Sequence, residues 1–139
     1  MPFYIRYRIY DNEDKKWIKD NIFLTPNGDL YKKEKSFFRK YNLSYLGNKQ
    51  RYIIHNAIEL YDKNYKSIFE GDYLKAQVDE NKVVIGVVVY SNELSSYILL
   101  CHDTDEYFTL GSYISEYIEI IGNVFDGYSD EKYKGQQTL

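Results

Sequence analysis

The sequence predicts a mainly β protein, α+β at most, and three observations carry that expectation. Aromatic residues are dense, with 17 Tyr and 7 Phe in 139 residues, and such side chains fit the pleated, half-buried surface of a sheet. Residues 3–10 alternate Phe3, Ile5, Tyr7 and Ile9 against Tyr4, Arg6, Arg8 and Tyr10, the period-two pattern of a strand with one basic, aromatic face. From Asp72 onward, five short apolar runs follow one another, most of them separated by polar turn residues.

Taken in order, residues 11–16 form a polar turn and residues 17–24 a second strand, which completes an N-terminal β-hairpin region. Pro26-Asn27-Gly28-Asp29 is a strong turn signal leading into Leu30-Tyr31. Over residues 33–45, Phe38, Tyr41 and Tyr45 stand at i, i+3 and i+7, while Phe37-Phe38 could equally begin a strand; the expectation is an irregular or short-helical segment, ended by Gly47-Asn48. Residues 51–60 read as a strand. Asp62-Lys63-Asn64 then makes a turn, Ile68-Phe69 a short strand, and Glu70-Gly71-Asp72 a sharp turn into the next strand.

Residues 73–78, 82–90, 97–101, 107–110 and 117–125 are the five apolar runs, with a single helical turn expected over residues 112–116. Five short meandering strands after a Glu-Gly-Asp turn suit a small SH3-like β-barrel. Its central strand, V-V-I-G-V-V-V-Y from Val83, should be buried on both faces, with Gly86 at a bend or bulge. Trp17, Ile68, Phe69, Val83, Ile85, Val87, Val89, Ile98, Leu100, Ile120 and Val124 are the expected core residues, and Gly71 and Gly122 the turn or close-packing glycines. The chain divides on this reading into a basic aromatic β region (1–59), the barrel (60–126) and a loose polar tail (127–139).

Three blocks of this pattern resemble the YopX family, small proteins of bacteriophages and prophages. They are R-I-Y-D-N-E-D-K-K-W-I from Arg8, L-Y-D-K-N-Y-K-S-I-F-E-G-D-Y-L from Leu60, and I-E-I-I-G-N-V-F from Ile118. Their order and spacing frame residues 3 to about 126. Tyr10 stands where the family usually has Trp, and Tyr65 where it usually has the turn Gly. A Tyr does not take positive φ cheaply, so the turn over residues 63–66 is expected to be wider or of another type. The resemblance implies a fold and a phage setting, and no chemistry.

Composition narrows the function classes. A chain of this length can bury a core without staples. The one cysteine, Cys101, excludes an intramolecular disulfide and reads as a small buried hydrophobe beside His102 and Asp103. No stretch approaches the ~20 apolar residues of a membrane span, and no cofactor or metal is expected; the expected location is the cytoplasm of a bacterial host. His55 and His102 lack the spacing partners of a metal motif, and the glycines are isolated. No catalytic residue is assigned.

Net charge is −3, but residues 1–70 carry 14 Lys/Arg against 9 Asp/Glu and residues 71–139 carry 4 against 12. That asymmetry points to two binding faces or to a self-complementary contact. Residues 31–51 interleave Lys32, Lys33, Lys35, Arg39 and Lys40 with Phe38 and Tyr41, the mixture that single-stranded nucleic acid requires. The negative total charge favours instead a solvated basic face, or a dock for the acidic half. Asp103, Asp105, Glu106, Glu116 and Glu119 are the candidate protein-binding residues, because an acidic face speeds encounter with a basic partner. The expected function is a non-catalytic phage or prophage accessory protein that binds a protein partner, a host or counter-defence target among them. The alternatives are a single-stranded nucleic-acid-binding accessory using residues 31–51 and a homo-oligomeric structural protein.

Overall fold

A computed structural model describes residues 7–19, 22–24, 29–35, 41–47, 51–110 and 117–129. Its contacts divide the chain into an N-terminal unit, Arg6–His55, and a C-terminal unit from Asn56 onward joined by Met1–Ile5. Among the described residues the regular elements are strands.

In the N-terminal unit, β1 (Tyr7–Asp11) pairs antiparallel with β2 (Lys16–Ile18) across a polar turn. Trp17 stands opposite Tyr10, their rings meeting edge to face at 5.1 Å, a cross-strand aromatic pair that fixes the register. The chain then departs from expectation: residues 17–24 are not one strand. β2 ends at Ile18, before Lys19, and β3 (Ile22–Leu24) joins β4 (Leu30–Lys35) and β5 (Tyr41–Gly47) in a second, three-stranded sheet. The irregular or short-helical expectation likewise gives way over residues 33–35 and 41–45, because Lys35 pairs with Tyr41 and Tyr31 with Tyr45 in a ladder; the sequence Y-N-L-S-Y-L also has the period of a strand, and residues 36–40, Phe38 among them, lie outside the described residues. Ile9, Leu30 and Tyr52 form the buried centre of this unit, flanked by Ile18, Ile22 and Ile54.

The unit boundary falls within β6 (Tyr52–Tyr61). In the C-terminal unit, β6 pairs with β7 (Ser67–Phe69). A six-stranded antiparallel sheet follows, built from β8 (Asp72–Asp79), β9 (Lys82–Ser91), β10 (Ser96–Cys101), β11 (Tyr107–Thr109), β12 (Ile118–Asn123) and β13 (Gly127–Tyr128) in the order β11-β10-β9-β8-β12-β13. Four strands meander, and the fifth returns to pair with the first. Leu74, Ala76, Val88, Leu99 and Ile118 share one core with Ile68 and Leu110. Residues from across the sheet converge on that single cluster, so the sheet curls around it. Residue 112–116, with the expected helical turn, and the tail beyond Ser129 lie outside the described residues.

Because β-strand side chains alternate, the neighbouring positions Tyr73, Ile85 and Val87 lie on the other face of the sheet, where they pack with Tyr128, Ile121 and Val124. The central strand β9 therefore buries side chains on both faces, as its apolar run predicts. Two expected core residues do not follow: Val83 is 37% and Leu100 39% exposed. Both sit on this outer face, which is covered only over part of its width. Gly86 is not at a bulge either; it pairs regularly with Leu74 and Cys101, and a Cβ there would sit 2.5 Å from the Leu100 carbonyl oxygen. The strand needs glycine because a neighbouring backbone approaches closely.

Candidate docking face and clefts

The sheet of the C-terminal unit is locked to its preceding turn by one side chain. Asp62 is buried, and its carboxylate accepts hydrogen bonds from the backbone N–H groups of Asn64 (2.9 Å), Lys66 (2.9 Å) and Ile120 (3.1 Å). Three further backbone bonds hold the turn: Asp62 N–H to the Lys66 carbonyl at 2.9 Å, Tyr65 N–H to the Asp62 carbonyl at 3.0 Å, and Lys63 N–H to the Ile118 carbonyl at 2.8 Å. Tyr65 adopts φ +60°, so the turn keeps the tight geometry that a glycine would favour, contrary to expectation. Left-handed backbone costs about 1–2 kcal/mol for an L-residue, and the bonds converging on Asp62 offset it. The Tyr65 side chain is 88% exposed and so meets no steric objection. The following Glu-Gly-Asp turn is equally structural: Gly71 takes φ +80°, and the Phe69 N–H donates to Asp72 at 2.8 Å.

The acidic candidates distribute around the outer face. Asp103 and Asp105 are exposed in the connection between β10 and β11. Glu106 closes that connection and pairs with Lys82 at 2.8 Å, which lowers its pKa. Glu119, on β12, pairs with Lys63 at 2.9 Å; Glu116 lies outside the described residues. Two shallow clefts flank Val83: one of about 160 Å³ includes Lys82, Cys101, Asp103, Thr104 and Glu106, the other of about 190 Å³ includes Lys63, Lys75, Gln77, Tyr117 and Glu119. Cys101 is buried, and that burial raises its thiol pKa, the setting of an inert rather than a reactive cysteine.

Between the acidic connection and the sheet centre runs an apolar row. Tyr107 on β11 stands opposite Leu100 on β10, which stands opposite Val87 on β9. Tyr107 is 52% exposed. Sequence reading placed Leu100 and Val83 in the core; strand parity set against two-sided burial is the signal that identifies them as a partly uncovered face.

The basic candidates belong to the N-terminal unit. Lys32, Lys33 and Lys35 lie on β4, and Tyr41 opens β5 opposite Lys35; Phe38, Arg39 and Lys40 lie outside the described residues. Sequence reading missed the ionic hub of this unit. Arg51 donates to both oxygens of buried Asp11, at 3.0 and 2.9 Å, and also reaches Asp14 and Glu13. With the N–H groups of Glu13 and Asp14 on the same carboxylate, these bonds hold the Asp11 pKa down at about 2, the Arg51 bond contributing most. Arg8 lies over the Trp17 ring at 4.5 Å and within 3.5 Å of His55 Nδ1. Burial, then the Arg8 charge, lowers the His55 pKa to about 4, so its ring is neutral near pH 7.

Among the described residues no group of three or more His, Cys, Asp or Glu side chains is placed to hold a metal ion, and no helix is long and apolar enough to cross a membrane. What the geometry defines is a two-unit β scaffold, with turns fixed by buried aspartates and a sheet face left partly open. The chain belongs to the YopX family, whose model matches residues 6–127. Among solved structures, protein YopX from Bacillus subtilis is similar at 18% identity, with a TM-score of 0.57 over 86% of this chain and 91% of that one. A protein from Enterococcus faecalis is similar at 16% identity and a TM-score of 0.57, over 89% of this chain and 95% of that one. These likenesses concern the fold. No match among curated proteins was found.

Proposed function

We propose that this chain is a non-catalytic accessory protein of phage or prophage origin, whose C-terminal unit docks a basic protein partner in the bacterial cytoplasm. One observation carries the reading: Val83, Leu100 and Tyr107 stay exposed on the outer sheet face, with Asp103 and Asp105 exposed beside them. Apolar and aromatic side chains held out of a core are the usual centre of an interface, and a charged rim selects and steers its partner. The unit boundary sharpens the charge argument. Arg6–His55 carries 12 Lys/Arg against 6 Asp/Glu, and the rest of the chain 6 against 15. The six-stranded sheet serves in this reading as an SH3-like barrel, supported by the meander of β8 to β11 and the return of β12 to β8.

Capture of partners from host lysate by the full chain, at low and high salt, tests this. Wild type should retain one basic protein stoichiometrically, less of it as salt rises. Leu100→Asp, and separately the exposed pair Asp103→Asn with Asp105→Asn, should lose it while unfolding at the wild-type midpoint. Retention indifferent to both variants, or no stoichiometric partner, would overturn the reading.

A further inference from the structure

The outer face of the C-terminal unit ends at an open strand edge. Among the described strands β11 pairs with β10 alone and closes its side of the six-stranded sheet. The Cys101 N–H donates to the Glu106 carbonyl at 2.9 Å, so the backbone of Glu106 is turned toward β10. Antiparallel ladders alternate. Phe108 therefore also faces β10, and the N–H and C=O groups of Tyr107 and Thr109 point away from it. Both residues are exposed. Two other edges of this unit offer no such row. β13 is two residues long and its Tyr128 is buried. In β7, which pairs with β6, the Phe69 N–H already donates to Asp72 at 2.8 Å.

We propose that β11 accepts an extended segment of the basic protein partner as an added antiparallel strand, an inference that rests on the docking reading above and names the form of what docks. The strand reads Tyr-Phe-Thr: β-prone, with neither the charge nor the proline that commonly guards an edge. Tyr107 and Thr109 each offer one donor and one acceptor to the incoming backbone. The residue opposite Tyr107 exchanges both bonds with it and puts its side chain on the same face. That side chain lands beside the row Tyr107, Leu100 and Val87, so an apolar residue there covers surface the fold leaves open. Asp103 and Asp105 precede the strand, exposed and in no ion pair among the described residues. A lysine or arginine C-terminal to the apolar residue runs toward them, because the two strands are antiparallel. Backbone bonds, one apolar row and one acidic end thus select an extended, alternating, basic segment.

The probe is an acetylated, amidated octapeptide alternating valine and lysine, titrated into the isotopically labelled full chain. The Tyr107 and Thr109 amides should shift saturably and exchange more slowly, while the Gly127 and Tyr128 amides stay still. With valine on the outer face, the valine N–H groups are the ones that meet β11. N-methylation at the valines should therefore weaken binding roughly tenfold, and N-methylation at the lysines should not. Thr109→Pro removes one outward donor and keeps the β10 ladder; it should weaken binding about fivefold at an unchanged unfolding midpoint. A valine–glutamate octapeptide should not bind. The inference fails if the parent peptide leaves these amides unmoved, if valine N-methylation costs no affinity, or if the glutamate peptide binds equally. It fails too if the free chain protects Tyr107 and Thr109 increasingly with its own concentration, which would assign the edge to a second copy. A valine-methylated peptide that still binds, and is lost on Leu100→Asp, keeps the docking face and removes the added strand. A chain that adds the peptide strand but captures no partner from lysate keeps the edge and removes the docking reading.

Discussion

Each unit of this molecule is organised around a buried aspartate in a polar turn, and the two aspartates are satisfied in opposite ways. Asp11, in the basic unit, rests on the Arg51 guanidinium as well as two backbone N–H groups. Asp62, in the acidic unit, has three backbone N–H donors and reaches from the turn to β12. The lesson is that one turn depends on a charge partner 40 residues along the chain, while the other depends on the backbone's own geometry. Substitution and pH should therefore act on the two units differently.

The largest effect should come from Asp62→Ala. It strips three N–H groups of their acceptor at a buried site, a loss of about 3–5 kcal/mol at ~1–3 kcal/mol per unsatisfied group. Hydrogen exchange at the Lys66 and Ile120 amides would show it directly, as lost protection confined to the C-terminal unit. Asp62→Asn should do less harm, since one carbonyl oxygen remains to accept. Gly86→Ala comes next, at about 1–3 kcal/mol for overpacking, because its methyl would meet the Leu100 carbonyl oxygen at 2.5 Å. Urea unfolding of the full chain measures it; an unchanged midpoint would mean that β10 yields.

Acid should sharpen the contrast. Trp17 is the single tryptophan and lies in the N-terminal unit, so its fluorescence reports that unit. His55 takes up a proton near its ordinary 6.5 when unfolded but only near 4 when folded. The unfolded chain thus binds more protons between those values, and the unit loses stability as pH falls from 6.5 to 4. Asp11 contributes stability that is complete above its ordinary 3.8 and is lost as pH falls from there to about 2. An acid scan should therefore show two successive losses. His55→Phe should remove the first and Arg51→Gln the second.

The smallest effect on stability belongs to Leu100→Asp, at about 0.5 kcal/mol or less for an exposed position, with partner capture abolished nonetheless. A large stability loss would return Leu100 to the core where sequence alone put it.

How far the sequence was legible follows from these particulars. The strands from Asp72 onward were readable because β8 to β11 are short, periodic and punctuated by polar turns. The structural roles of Gly71 and Gly122 were readable as well: a Cβ on Gly122 would collide with the backbone at Gly127. What failed was information that lives between strands. Nothing local tells which face of V-V-I-G-V-V-V-Y stays covered, so the sequence alone puts Val83 and Leu100 in the core. The break after Ile18 and the pairing of β4 with β5 are set by ladders to distant partners, which override the irregular or short-helical expectation over residues 33–35 and 41–45. At Tyr65 the expectation fails because the strain at one residue is offset by bonds to Asp62, and those include one from Ile120, 58 residues beyond Asp62. Of the candidate sites, the acids are legible by charge alone; the place of Glu119 opposite Lys75 requires the register of β8 against β12.

A photo-crosslinking residue at Tyr107 on the acidic unit's outer face and, in a second protein, at Lys32 on the basic unit's β4 tests the docking face most sharply. Both would be expressed in the cells that carry the gene. One defined adduct with a basic protein is expected from position 107, abolished by Leu100→Asp, and none of comparable yield from position 32. An adduct from position 32 alone, or none from 107, would contradict it.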